Sequence, residues 1–428
     1  MREMKDSGVE WIGKIPKGWH ITQTRRLFRN EKNIVGDAAD EYERLALTLK
    51  GVIKRSKNDS EGLQPEKFEG YQILRQNELV FKMIDLENVN TSRVGLSPYT
   101  GLVSPAYIVL KNDSDDNRYE YYWFMSMYYN EVFNHLGGDG VRSALNVKDM
   151  LSLPISNISK IQKKMLADYL DAKCSKIDEI IEKQQAIIEK LKAYKLSIIT
   201  EAVTKGLNPD VKMKNSGYEY IGDIPNYWNV CRLRNYGSAQ NGISKGGEYF
   251  GTGFPFVSYG DVYRNYALPN RVDGLINTTE EERKKYSVEE GDIFFTRTSE
   301  TIEEVGFSAV CNKTIPNATY AGFVIRVRPF IDMLTLGFAK YYFRSKHLRV
   351  YFAKEMNLVT RASLGQDLLK SMPLLVPPKD EQCKITEYLD KKCNLIDSNI
   401  YEKGRLIIKL QEYKKSLIYE VVTGKKEV

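Results

Sequence analysis

Two stretches of this chain are written twice, and that duplication constrains the fold more than any single motif does. Asp6 to Arg25 (DSGVEWIGKIPKGWHITQTR) recurs as Asn215 to Arg234 (NSGYEYIGDIPNYWNVCRLR), with nine of twenty positions identical at an offset of 209. Tyr169 to Thr204 recurs as Tyr388 to Thr423, with eighteen of thirty-six positions identical at an offset of 219 and no gap. The second offset also matches Trp123-Phe124-Met125-Ser126 with Tyr342-Phe343-Arg344-Ser345, Arg142 with Arg361, Leu145 with Leu364 and Pro154 with Pro373. Between these shared ends the copies diverge at similar length, which implies one mechanical frame carrying two different specificities.

Traces of a common fold persist in the middles. Glu78-Leu79-Val80-Phe81 resembles Asp292-Ile293-Phe294-Phe295, and Pro105 to Leu110 resembles Ala321 to Arg326. Their β-branched and aromatic character predicts half-buried strands. Helices are expected near Tyr119 to His135 and Leu336 to Ala353.

The block after each middle is helical. Ile177, Ile181, Ile188, Leu191 and Ile198 follow a register of alternating four- and three-residue steps, with Gln184 filling the seam position before Ile188. Ile400, Ile407, Leu410 and Leu417 repeat the register. With no Pro or Gly from Ile161 to Val203, one helix of about 43 residues, about 65 Å long, is allowed. Such a stripe must be covered, and the economical partner is the other copy. It reads either as an internal packing seam alone or as a seam whose flanks, Ile187, Tyr194, Leu406 and Tyr413, also dock helices of other subunits. Gly206, Asn208 and Pro209 stop the first helix. Trp11, Ile12, Ile15 and Trp19 form an apolar cluster too large to leave wet, so the opening segments should pack on the helix ends. Trp19 and Trp228 are read as such anchors before base-stacking platforms, and the matched Cys174 and Cys393 as small buried apolar residues. Arg142 and Arg361 fit a phosphate contact or an internal ion pair equally well.

Motifs for chemistry are missing. Gly242 to Gly247 is followed by Glu248, where a phosphate-binding loop requires Lys. Pro377-Pro378 stands between Val376 and Lys379 and so lacks the Asn/Asp-Pro-Pro-aromatic grip of an amino-methyltransferase. Three His and five Cys without a CxxC pair argue against a zinc site, a His-based triad or a disulfide framework. The opening MREMKDSG lacks the apolar core of a signal peptide, and the densest apolar stretch, Tyr121 to Tyr129, is half of a membrane span. A soluble, reduced, cytoplasmic protein is expected.

What the middles do offer is equipment for polyanions, in line with a net charge of +7. The first holds Lys50, Lys54, Arg55 and Lys57, then Lys82, Thr91 and Arg93 near Asn88 and Asn90. The second holds Lys245, Tyr259, Arg264, Arg297 and Thr298. Lys and Arg neutralise phosphates, while Arg, Asn, Ser and Thr reach base edges. A charge run is more often a solvated face than a base reader, so the collection weighs more than any member.

These features resemble the specificity (S) subunits of type I restriction-modification systems, over essentially the whole chain. Val376-Pro377-Pro378-Lys379-Asp380-Glu381-Gln382, followed by Ile385 and Tyr388-Leu389-Asp390, resembles the family's PPxxEQxxI..YLD helix entry, and the duplicated SG.E.IG.IP.W opening is equally characteristic. The first copy departs at Ser156 to Gln162 (SNISKIQ) before Tyr169-Leu170-Asp171 resumes.

The resemblance implies an α+β chain: two α/β target recognition domains separated by two long antiparallel coiled-coil-like helices, with an internal pseudo-twofold repeat. The boundaries expected are 1–155 and 208–376 for the recognition domains, 156–207 for the central and 377–428 for the distal helical region. It implies a non-catalytic subunit of a bacterial or archaeal cytoplasm that binds double-stranded DNA at an asymmetric bipartite site. Two methyltransferase (M) subunits methylate adenine N6 using S-adenosylmethionine, and two restriction (R) subunits using ATP and Mg can join. No cofactor is expected on this chain and no membrane contact. The paired helices would act as a ruler for the untouched spacer, with half-site centres about one helical turn apart. The alternative from another class is a helical adaptor that assembles partners without reading DNA.

Overall fold

The computed structural model describes residues 2–59, 67–83, 93–134, 144–299, 305–355 and 362–428. Thr91, Asn88, Asn90, Arg142, Arg361 and His135 lie outside the described residues. The chain forms two compact units, Met1–Gln185 together with Gly404–Val428, and Ala186–Lys403. Each takes part of two long helices, a central helix Lys160–Lys205 and a distal helix Lys379–Val422.

The two helices start differently. Where the first copy reads SNISKIQ, the Ser159 side chain caps the helix: its hydroxyl accepts from Gln162 N at 3.3 Å and donates to the Gln162 side chain at 3.2 Å. The second copy uses its PPxxEQ run. Gln382, fully buried, donates from Nε2 to the carbonyls of Met333 and Pro377, and its Oε1 accepts from Thr335 N at 2.7 Å. Glu381 accepts from Trp228 Nε1 at 2.9 Å and from Tyr227 Oη at 3.1 Å, tying the helix start to the opening segment of that copy.

Within each unit the helices run antiparallel. In the first, Cys174 and Ser175 line a hollow with Ile418, and further along Ile181 stands near Gln411. In the second, Lys195 pairs with Asp397 at 2.6 Å, and Gly206 approaches Glu381. The first unit holds the counterpart of that ion pair, Asp178 with Lys414 at 2.7 Å, each partner supplied by the opposite helix. All nine seam residues named above are buried or half-buried. Among them Ile177, Leu417 and Ile198 join the unit cores, with Leu389, Cys393 and Ile396 beside Ile198. A fully buried Leu or Ile contributes about 1.5–3 kcal/mol, so this face rather than intrinsic propensity stabilises helices of such length.

The middles share a plan. In the first unit, Leu79–Phe81 lies between Ile108–Leu110 and Val94–Leu96, all antiparallel, and a four-stranded sheet runs Gly51–Arg55, Arg44–Thr48, Gly101–Val103, Gln72–Leu74. In the second unit, Ile293–Thr296 lies between Val324–Pro329 and Ser308–Val310, with Gly237–Asn241 at the edge. The strand expectations thus hold to within a few residues. The expected first helix is Arg118–Tyr129; the second is divided into Leu336–Tyr342 and Lys346–Glu355, because buried Arg344 and Ser345 hydrogen-bond backbone carbonyls at the junction.

The duplicated ends build duplicated joints. His20–Gln23 pairs with Pro154–Asn157, and Asn229–Arg232 with Pro373–Val376, in equivalent register. Trp123 Nε1 donates to Pro154 O at 3.0 Å, and Tyr342 Oη donates to Pro373 O at 2.9 Å. Asp171 accepts from Tyr122 Oη at 2.7 Å and from Arg118; Asp390 accepts from Tyr341 Oη and Lys340 at 2.6 Å. The opening segments do pack on helix ends: Tyr419 Oη donates to the carbonyls of Trp11 and Ile12, and Gly424, at φ +68°, closes on Pro16 and Trp19. In the other copy Gly206, at φ +74°, closes on Pro225 and Trp228. Both helices therefore end in the left-handed conformation that favours glycine. Trp19 and Trp228 are 3% and 0% exposed, so they are anchors. Among the described residues no helix is long and apolar enough to cross a membrane.

Candidate nucleic-acid interface

In the first unit the cations of the Lys50 to Lys57 run stand on and after a hairpin, Arg44–Thr48 with Gly51–Arg55, whose tip exposes Leu49 and Lys50. Three of them are engaged. Lys54 pairs with Glu43 at 2.5 Å and lies 5.2 Å from the Tyr99 ring centre. Arg55 pairs with Asp59 at 2.8 Å. Lys57 donates to Ala39 O at 2.7 Å and lies 5.7 Å from the Phe68 centre, with Arg44 also near that ring at 5.9 Å. Cations thus stand beside aromatic rings at Lys54, Lys57 and Arg44, with Arg44 and Lys54 on opposite faces of the hairpin. Lys50 is exposed and Lys82 half-buried, and neither has an ion pair among the described residues. Arg93 is 2% exposed, donates to Asn134 Oδ1 at 3.3 Å and faces Tyr128, so its guanidinium is turned inward and not offered to a surface ligand.

In the second unit Lys245 is largely committed to structure: its ammonium donates to Asn277 O at 3.0 Å and to Glu282 Oε2 at 2.7 Å. That hydrogen bond holds the Glu282 carboxyl below its ordinary value. Tyr259 and Arg264 stand on a short helix, Tyr259–Arg264, capped by Ser258 and Asp261. Tyr259 stacks on Tyr263 with centroids 5.9 Å apart, and Arg264 is exposed. Arg297 and Thr298 follow the strand Ile293–Thr296; Leu364 N donates to Arg297 O at 2.7 Å and Thr298 pairs with Ser363. The structure therefore brings Arg297 and Thr298 together at a strand end, and keeps Tyr259 and Arg264 together on their own helix. Neither Arg264 nor Arg297 has an ion pair among the described residues.

Sequence reasoning missed the groups beneath this surface. Arg344, 7% exposed, donates to four carbonyls, those of Ser308, Val262, Tyr263 and Asn265. Arg349 donates to those of Val305 and Gly306. Burial pushes Arg344 down to about 10 and Arg349 down to about 9, the latter also repelled by Arg344. His347 is pushed down to about 3 by burial and by Arg349. In the first copy Met125, Tyr128 and Asn130 stand at these positions, so the repeat gave no hint of them. The matched Tyr122–Asp171 and Tyr341–Asp390 pairs, by contrast, were open to detection from the repeat. Among the described residues no group of His, Cys, Asp and Glu could hold a metal ion.

A surface that carries cations beside aromatic rings can bind phosphates and stack on or reach bases. Residues 228–409 match the family model of the type I restriction modification DNA specificity domain. The specificity subunit of the type I restriction enzyme EcoKI of Escherichia coli K12 is 21% identical over 448 residues, covering 96% of this chain and 90% of that one. The EcoBI specificity subunit of Escherichia coli is 20% identical, covering 66% of this chain and 60% of that one. A solved chain from work on complex assembly and conformational transition of the type I R-M system superposes with a TM-score of 0.69 at 14% identity. It covers 95% of this chain and 98% of that one, and so shares its fold. With duplicated helix joints, dissimilar middles and these relatives together, the chain is similar over nearly its whole length to specificity subunits of type I restriction-modification systems, and its residues 228–409 match their DNA specificity domain.

Proposed function

We infer that this chain is the DNA sequence-specificity subunit of a type I complex. It binds an asymmetric bipartite site, reads one half with each dissimilar middle, and leaves the chemistry to the subunits assembled on it. One observation carries the reading: equivalent joints, down to the Trp123–Pro154 and Tyr342–Pro373 hydrogen bonds, hold sheets whose surface residues differ. Lys50 and Lys82 in one unit and Arg264 and Arg297 in the other are the readiest phosphate or base contacts, because no carboxylate among the described residues neutralises them. Lys54, Arg55, Lys57 and Lys245 must leave or share a partner to reach DNA.

Two M subunits dock, on this reading, through the matched residues that flank the seam. Ile187 and Tyr194 on the central helix are 37% and 53% exposed; Leu406 and Tyr413 on the distal helix are 40% and 52% exposed. S-adenosylmethionine is held by the M subunits, and ATP with Mg by R subunits when they join. The deciding experiment is single-molecule methylome sequencing of a host carrying this chain and its M partner, before and after exchange of Thr22 to Ile155 for another family member's segment. One half of a bipartite adenine-methylated motif should change and the other stay. A helical adaptor would instead leave the motif untouched and give the complex no salt-sensitive affinity for duplex DNA.

A further inference from the structure

The strand ends that carry Lys82 and Arg297 rest on the same kind of buried contact in both units, assembled from opposite sides. In the first unit Lys82 N donates to Arg93 O at 3.0 Å and Leu145 N to Met83 O at 3.1 Å. In the second, Thr296 N donates to Phe307 O at 2.8 Å and Leu364 N to Arg297 O at 2.7 Å. These bonds place Phe307 where the first unit has Arg93, while the repeat offset places His347, between Arg344 and Arg349, where the first unit has Tyr128. The cation and the ring have exchanged elements. Arg93, on the strand side, lies 5.9 Å from the Tyr128 ring on the helix side. Phe307, on the strand side, lies 4.8 Å from Arg344 and 5.0 Å from Arg349 on the helix side.

Mere space-filling does not account for such residues. Buried Arg344 and half-buried Arg349 have no carboxylate partner among the described residues, and taking an uncompensated cation out of water is costly, so an apolar side chain would fill the volume at less cost. What a guanidinium adds is direction, because its rigid fork holds several carbonyls in one geometry. Arg344 gathers the C-terminal carbonyls of the helix Tyr259–Arg264, where a cation is also favoured by the helix dipole, and joins them to Ser308 O. Phe307 meets Tyr263 edge-on at 5.2 Å, and Tyr263 stacks on Tyr259. A continuous series of packed groups thus links Arg344 and Arg349 to Tyr259 and Arg264 at the surface.

We propose that Arg93 in the first unit, and Arg344 with Arg349 in the second, are positioning residues that set half-site specificity from beneath the reading surface without touching DNA. The proposal rests on the DNA-reading function inferred above. The test uses the complex with its M partner, carrying Arg344→Lys, Phe307→Leu or Arg93→Lys, with two readouts: the methylated motif, and duplex affinity as a function of salt. Arg344→Lys and Phe307→Leu should each relax base discrimination in the same half of the motif by about tenfold, within the range of one good base contact. Arg93→Lys should relax the other half. The slope of log affinity against log salt should not change, because no phosphate contact is lost. Phe307→Leu keeps both arginines and carries the test if Arg344→Lys does not fold. A motif sharp in both halves with only a lower thermal midpoint would overturn the proposal, as would a salt slope reduced by about one. A wild-type complex without salt-sensitive duplex binding would instead overturn the DNA-reading function itself.

Discussion

Tyr122→Phe should destabilise the first unit by a calculable amount, and the chain repeats the experiment on itself. Tyr122 is 7% exposed and its hydroxyl donates to Asp171 Oδ1 at 2.7 Å, joining the helix Arg118–Tyr129 to the central helix. A hydrogen bond to a charged acceptor contributes about 1.5–3 kcal/mol when buried. The Asp171 side chain is 41% exposed and keeps Arg118 at 2.6 Å, so screening lowers the coupling to about 1–1.5 kcal/mol. In a unit of about two hundred residues that is about 2–6 °C of thermal midpoint. Arg118 retains Asp116 and Asp168 when Asp171 is removed, which keeps the double-mutant cycle with Asp171→Ala interpretable. The cycle of Tyr341→Phe with Asp390→Ala should return a similar coupling in the second unit, where the distance is 2.6 Å and Asp390 also holds Lys340. Differential scanning calorimetry with urea unfolding reads both. Coupling below about 0.3 kcal/mol in both cycles, the level at which independent sites already agree, would refute the view that these hydroxyls clamp the recognition parts to the frame. Burial alone would raise the Asp390 pKa, but hydrogen bonds from Lys340 and Tyr341 hold it below the ordinary carboxylate value. Its stabilising effect is therefore present above the unfolded carboxylate value and should fade as pH falls through the lower folded one.

Other outcomes are as definite. His347→Gln should flatten an acid loss of stability: the buried imidazole stays neutral down to about 3 while the unfolded one protonates near 6.5, so between those values acid favours unfolding by up to about 1.4 kcal/mol per pH unit; urea midpoints from pH 7 to 4 measure the difference from wild type. Lys50→Gln, Lys82→Gln, Arg264→Gln and Arg297→Gln should each reduce the salt slope of duplex binding by about one where the side chain meets phosphate. Leu406→Glu with Tyr413→Glu should abolish co-purification with the M subunit while shifting the thermal midpoint little, because both side chains are about half exposed. Trp228→Phe should cost about 1 kcal/mol more than Trp19→Phe, since Trp228 Nε1 is bonded to Glu381 and Trp19 Nε1 has no partner among the described residues.

The frame was legible because it is duplicated. Repetition doubles the evidence for each joint, and a seam such as Ile177, Ile181 and Ile188 announces its period directly. The helix end at Gly206 and the burial of Trp19 and Trp228 followed from local chemistry alone. The reading surface was less legible, because charge in a sequence does not reveal its partner. Lys245 looked free, but Glu282, thirty-seven positions away, holds it. Arg93 looked like a base reader, but lies inside against Tyr128. Arg344 went unnoticed because its role depends on carbonyls from segments about eighty residues distant. Sequence reports which groups exist; long-range packing decides which remain available.

The first unit is assembled from both ends of the chain: Val422 O accepts from Tyr119 Oη, and Tyr419 meets Trp11, while the whole of the second unit lies between them. On the ribosome its amino-terminal part must wait for more than two hundred further residues, on the order of 10–40 s at ordinary elongation rates. During that interval the apolar wall made by Ile12, Ile15 and Trp19 lacks the helix end that covers it. The second unit has all its segments in hand earlier. Nascent chains should therefore gain protease resistance in the middle of the sequence before the beginning, and truncations that remove the last turns should expose the amino-terminal recognition part to aggregation first.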